Sequence, residues 1–85
     1  MKIKHTTTYV DATGLNCPMP LMLLKKAVDQ QSVGGVIEIT VTDIHAELDF
    51  EIWCEKFGHE LNKGQESAAV IVFTVVKGIG QPLSK

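Results

Sequence analysis

Apolar residues change their spacing along the chain, and each change predicts an element. Thr6 to Val10 (Thr-Thr-Thr-Tyr-Val) is β-branched and aromatic, which predicts a first strand. From Leu21 to about Gln31 the period becomes helical: Leu21, Leu24, Ala27 and Val28 share one stripe, while Lys25, Lys26, Asp29 and Gln30 fall mostly elsewhere. Gly34-Gly35 closes that helix. Val36 to Val41 is rich enough in β-branched residues for a central strand. Ala46 to Phe57 is helical again, with Ala46, Phe50, Trp53, Cys54 and Phe57 on one face and Gly58 as its C-cap. His59-Glu60-Leu61 predicts a short third strand, Asn62 to Gln65 a turn, and Ala68 to Lys77 the strongest strand of the chain. Residues 78–85 read as a loose tail.

The predicted order is β-α-β-α-β-β. Two amphipathic helices need a surface to cover, and the simplest answer is an α+β two-layer sandwich, a four-stranded mixed sheet with both helices on one face. Residues 1–85 leave room for a single domain, and no repeat or linker interrupts them.

Composition narrows the function. Hydrophobic residues make up 45 % and charged residues 21 %, which is globular rather than disordered. A net charge of −2 disfavours nucleic acid and anionic membranes as direct partners, since both require dense positive charge. Met1 to His5 is basic but no apolar stretch follows, so no signal peptide is expected, and no apolar run is long enough to span a bilayer. Two cysteines do not make a disulfide framework. A reducing cytoplasm is the expected setting, where an exposed cysteine tends to be reactive rather than structural.

Cys17-Pro18-Met19-Pro20 carries the candidate chemistry. With Pro18 as first helical residue, Cys17 would be the N-cap, facing unpaired amides and the positive end of the helix dipole. That setting would favour the thiolate, the nucleophilic form. Pro18 and Pro20, flanking Met19, would stiffen the first turn, and Gly14 would let the approaching backbone bend freely. A cysteine in this position is also often a small buried hydrophobe, and spacing alone does not choose between the two.

The stretch Asp11-Ala12-Thr13-Gly14-Leu15-Asn16-Cys17-Pro18-Met19-Pro20 resembles the signature of the TusA/SirA family of sulfur carriers. A second block, Asp43, Asp49-Phe50-Glu51-Ile52-Trp53-Cys54 and Gly58-His59-Glu60-Leu61, is similar to that family's second-helix pattern. The resemblance implies the same β-α-β-α-β-β fold and a persulfide on Cys17. It implies receipt of that sulfur from a cysteine desulfurase or rhodanese-like donor and delivery to an acceptor protein, with tRNA 2-thiouridine as one end point. The chain departs from the family in lacking arginine near Thr13 or Asn16 and in carrying Ile44 where a proline often stands. No particular donor or acceptor is therefore singled out. The alternative is an interaction module or thiol redox sensor on the same fold.

The remaining candidates are weaker. Cys54, on the apolar stripe beside Trp53 and Phe57, reads as structural. His5, His45 and His59 are scattered, so no metal site or other cofactor is expected. Met22, off the core stripe, and Lys25 are the candidates for a partner-docking surface, Lys25 and Lys26 lying too far along for contact with the sulfur. Leu48 and Ile52 fall across the second helix from its apolar face and read as ordinary exposed residues. A monomer is expected, since a carrier must pass between partners.

Overall fold

The computed structural model describes residues 7–67 and 69–78. Their order is β1 (Thr7–Ala12), α1 (Met19–Asp29), β2 (Val36–Val41), α2 (Ala46–Phe57), β3 (Glu60–Ser67) and β4 (Val70–Val76). The sheet runs β1-β2-β4-β3, with β1 parallel to β2 and β4 antiparallel to both neighbours. It is the mixed, four-stranded sheet that the alternation of apolar stretches predicts.

One face of this sheet makes the core. Ile37, Ile39 and Val41 of β2 and Ile71, Phe73 and Val75 of β4 are buried, as strand alternation requires. The register sets Ile39 between Val10 and Phe73, so three strands contribute to one layer. Helix α1 covers it with Leu24, Ala27 and Val28, and α2 with Ala46, Phe50 and Cys54. Phe50 meets Phe73 edge-on, with ring centroids 5.3 Å apart, a favoured aromatic geometry.

Element boundaries depart from expectation in informative places. Strand β1 continues through Asp11 and Ala12 because Ala12, fully buried, pairs with Val41; Thr6 lies outside the described residues. Helix α1 begins and ends two residues earlier than its apolar stripe suggests. Its last turn tightens as the Gln30 amide donates to the Ala27 carbonyl. The largest correction is β3: Asn62 to Gln65 is not a turn but the middle of an eight-residue strand, with a register shift between Lys63 and Glu66. A bulge absorbs extra residues inside a pairing that β4 supports from the other side. Its polar sequence suits an edge strand, where charge discourages further pairing. Strand β4 begins at Val70 rather than Ala68, a residue outside the described set. Of the expected tail, residues 79–85 also lie outside it. Gly78 is tied down, its amide donating to His59 Nδ1 at 2.9 Å.

His59 does not open β3, which starts at Glu60. It is buried, with its ring 4.7 Å from that of Trp53. Helix α2 ends one residue before it at Gly58, whose φ of +77° is the left-handed C-cap conformation glycine adopts without strain. Burial, aided by the Lys77 charge, holds the His59 pKa below the usual histidine value.

Two stability predictions follow from this packing. Phe50→Ala should cost about 3–5 kcal/mol in urea unfolding, because the hole beneath Phe73 cannot be refilled. Leu48→Ala, two residues away but exposed, should change stability by less than about 0.5 kcal/mol. His59 adds a pH dependence. Its folded pKa is depressed, so the stability it contributes is complete above the unfolded value of about 6.5 and is lost as pH falls, when the unfolded chain takes the proton first. Urea midpoints should fall between pH 7 and 5, and His59→Gln should flatten that slope.

Candidate functional site

The loop after β1 is held to the loop after β2 by a short series of polar contacts. Asp11 Oδ1 accepts from the Thr13 amide at 3.0 Å and from the Thr13 hydroxyl at 2.7 Å, turning the chain as it leaves the strand. Gly14 takes φ +81°, a left-handed conformation that residues with a side chain adopt only with strain, and its amide donates to Thr42 Oγ1 at 2.9 Å. The Cys17 amide donates to Asp43 Oδ2 at 2.7 Å. The other oxygen of Asp43 accepts from the His45 amide at 2.9 Å and lies 3.0 Å from His45 Nδ1. These bonds hold the Asp43 carboxyl below the usual carboxylate range, those from His45 and Cys17 amides being the main causes.

Cys17 is exposed, so the buried alternative is set aside. Its place relative to the helix differs from expectation. Pro18 is the N-cap and Met19 the first helical residue, which puts Cys17 one position before the cap; the Cys17–Pro18 peptide is cis. The supply of free amides is poorer than a helix start ordinarily offers. Pro18 and Pro20 have no N–H, and the Met19 amide is taken by the Asn16 carbonyl at 2.8 Å. A carboxylate stands over the sulfur instead: Cys17 Sγ lies 2.7 Å from Asp49 Oδ2 on α2. That hydrogen bond, then desolvation and the charges of Asp49 and Asp43, push the Cys17 pKa up. The expectation of a thiolate favoured by the helix start is therefore corrected. In this environment the free chain rests as a thiol.

Other candidates are placed as follows. Met19 and Pro20 form the first turn of α1, Pro20 turned into the core and Met19 exposed. Met22 and Lys25 are both exposed on α1, and Ile44, Leu48 and Ile52 are exposed at and along α2. Cys54 is 2 % exposed, and burial pushes its thiol up to about 11. It borders a cavity of about 380 Å³ between α2 and β3, lined also by Glu47, Glu51, His59 and Lys63, whose lining does not include Cys17. Among the described residues no group of three or more His, Cys, Asp or Glu is arranged to hold a metal ion. No helix of the described residues is long and apolar enough to cross a membrane.

Sequence reasoning gave Asp49 no role. Its one local signal is an acidic side chain in the first turn of a helix, which dipole electrostatics alone explain. Only the folded chain shows that it reaches Cys17, 32 residues earlier.

Fold and site together define a small α+β domain that displays a solvent-reachable thiol between the starts of two helices. The model of a family described as sulfurtransferase TusA matches residues 8–77. A protein of Pseudomonas entomophila named sulfur carrier protein TusA is 41 % identical over 73 residues, covering 86 % of this chain and 90 % of its own. One of the same name from Pseudomonas putida is 38 % identical over 68 residues, covering 80 % and 85 %. The crystal structure of a SirA-like protein from Desulfitobacterium hafniense superposes with a TM-score of 0.74 at 27 % identity, covering 86 % of this chain and 99 % of that one. The chain belongs to the TusA family.

The two thiols should be separable by alkylation. Iodoacetamide on the folded protein should label Cys17 and leave Cys54 unmodified until urea unfolds the chain. Labelling of Cys17 should keep rising past the midpoint of an ordinary thiol, about pH 8.5, with peptide mass spectrometry as the readout.

Proposed function

We propose that this protein is a sulfur carrier that holds a transferable sulfur as a persulfide on Cys17. The observation that carries this reading is the exposure of that one thiol at the meeting point of two loops, in a chain of a family whose relatives bear the name sulfur carrier. Cys54, buried, lacks the exposure for the task. The donor is a cysteine desulfurase or a rhodanese-like protein. A downstream protein takes the sulfur, for tRNA 2-thiouridine formation among the possible ends, and the setting is the cytoplasm.

The chemistry is sulfur exchange. The Cys17 sulfur attacks the outer sulfur of the donor's persulfide, R–S–SH. The donor's S–S bond breaks, R–S⁻ leaves and takes up the proton given up by Cys17, and Cys17–S–SH remains. An acceptor thiolate then attacks the outer sulfur of Cys17 in the same way. Neither transfer has a net change in oxidation state, so no redox cofactor is required. Gly14, Pro18, Met19 and Pro20 serve as the rigid platform under the sulfur. Exposed Met22 and Lys25 lie within two turns of it on α1 and suit the rim of a small, short-lived interface.

Incubation with a cysteine desulfurase and cysteine should add the mass of one sulfur to the intact protein. Cys17→Ser should abolish the gain, and Cys54→Ser should retain it. No adduct from desulfurase or rhodanese, with Cys17 still open to alkylation, would overturn the carrier reading in favour of a redox sensor.

A further inference from the structure

The contact between Cys17 and Asp49 is unusual for a nucleophile. Protein environments that activate cysteine place a cation, a histidinium or free amides at the sulfur. Here Sγ has a carboxylate oxygen at 2.7 Å, and a second carboxylate, Asp43, binds its own amide. Among the described residues no compensating cation is at hand. The chain has no arginine, and among the described residues the ion pairs of lysine are made by Lys63 with Glu47 and Glu66. His45 is spent on Asp43, and α1 brings Lys25 and Lys26 to neither carboxylate. The groups that act on the sulfur are thus Asp49 from α2 and Asp43 from the β2–α2 loop, both negative.

We propose that Asp49 gates Cys17: in the free carrier its short hydrogen bond holds the sulfur as a neutral thiol, and a cationic side chain of the sulfur donor, pairing with Asp49, releases it as the nucleophile. The inference rests on the carrier reading and concerns the regulation of the same site. Two features of the structure support it. Among the described residues the carboxylate has no positive partner, so its charge is open to one from outside. The thiol that it holds is solvent-reachable, so the contact does not serve burial or packing. Such a gate keeps an exposed thiol from reacting with every small electrophile, since reaction requires the thiolate. The transfer itself is unchanged: the proton leaving Cys17 ends on the donor's departing thiolate. Asp49 is a positioning residue here, acting through the charge state of Cys17.

The test uses the free protein, so it does not depend on any sulfur being carried. In Asp49→Asn the pH profile of Cys17 alkylation by iodoacetamide should move to lower pH. Each unit of that movement multiplies the thiolate tenfold while lowering its intrinsic reactivity, a net gain of roughly threefold at pH 7. Asp49→Glu should restore the wild-type profile in part. Charged disulfides probe the outside cation. The wild-type thiol should react faster with cystamine, which is cationic, than with neutral bis(2-hydroxyethyl) disulfide, and Asp49→Asn should lose that preference. An unmoved pH profile, or the same cystamine preference in both proteins, overturns the gate. So does slower alkylation of Asp49→Asn at every pH, which would make Asp49 a base rather than a restraint. An Asp49 effect as expected in a protein that never gains sulfur would sink the carrier reading and the donor's part in the release, and leave only the restraint of the thiol by Asp49.

Discussion

Because β1 and β2 run parallel and in register, with Ala12 opposite Val41, the chain leaves both strands at the same end of the sheet. Each strand is followed by a helix that must return across the same apolar face. The two helix starts are therefore neighbours, although Cys17 and Asp43 are 26 residues apart in sequence. Everything at the site depends on this pairing. An antiparallel β1 would send Cys17 to the opposite end of the molecule from Asp43 and Asp49. The general rule that open α/β sheets place their chemistry beyond the carboxyl ends of parallel strands has the same origin.

Asp43 turns that proximity into fixed geometry. One carboxylate accepts from the amide of Cys17 on one side and from the amide of His45 on the other, so the loop carrying the sulfur and the origin of α2 share a single anchor. Hydrogen bonds to an ionised acceptor are the stronger kind, and Asp43 accepts these with both oxygens. Gly14 adds a second tie through Thr42. The consequence is that Asp49, one turn into α2, is presented to Sγ from a rigid element rather than a loop.

The prolines of the Cys-Pro-Met-Pro stretch have an electrostatic effect beside their conformational one. They favour a helix start by pre-setting the backbone, yet they remove two of the amide hydrogens that make helix starts attractive to anions. With the Met19 amide already bonded to Asn16, the dipole's positive end has little left to offer the sulfur. The nearest strong interaction wins, and it comes from a carboxylate. A motif that reads as an activated cysteine thus yields, in the free chain, a restrained one.

Much of this was legible along the chain. The helical spacing of Leu24, Ala27 and Val28 and the β-branched stretches from Val36 and Val70 fix the elements, because local periodicity and side-chain shape are properties of adjacent residues. Glycine at 14 and 58 and the pair of prolines mark the bends for the same reason. Strand β3 was hidden because Asn62, Lys63 and Gly64 look like a turn, and only the pairing demand of β4 draws them into the sheet. The site divides in the same way. Cys17 and its helix could be read from neighbours in sequence, whereas the upward push on its pKa comes from Asp49, which comes within 2.7 Å only after the sheet has closed. Sequence determined where the candidate sulfur sits, ahead of a proline-stiffened helix; tertiary structure decided how readily it ionises, since electrostatic interaction depends on distance through space and not along the chain.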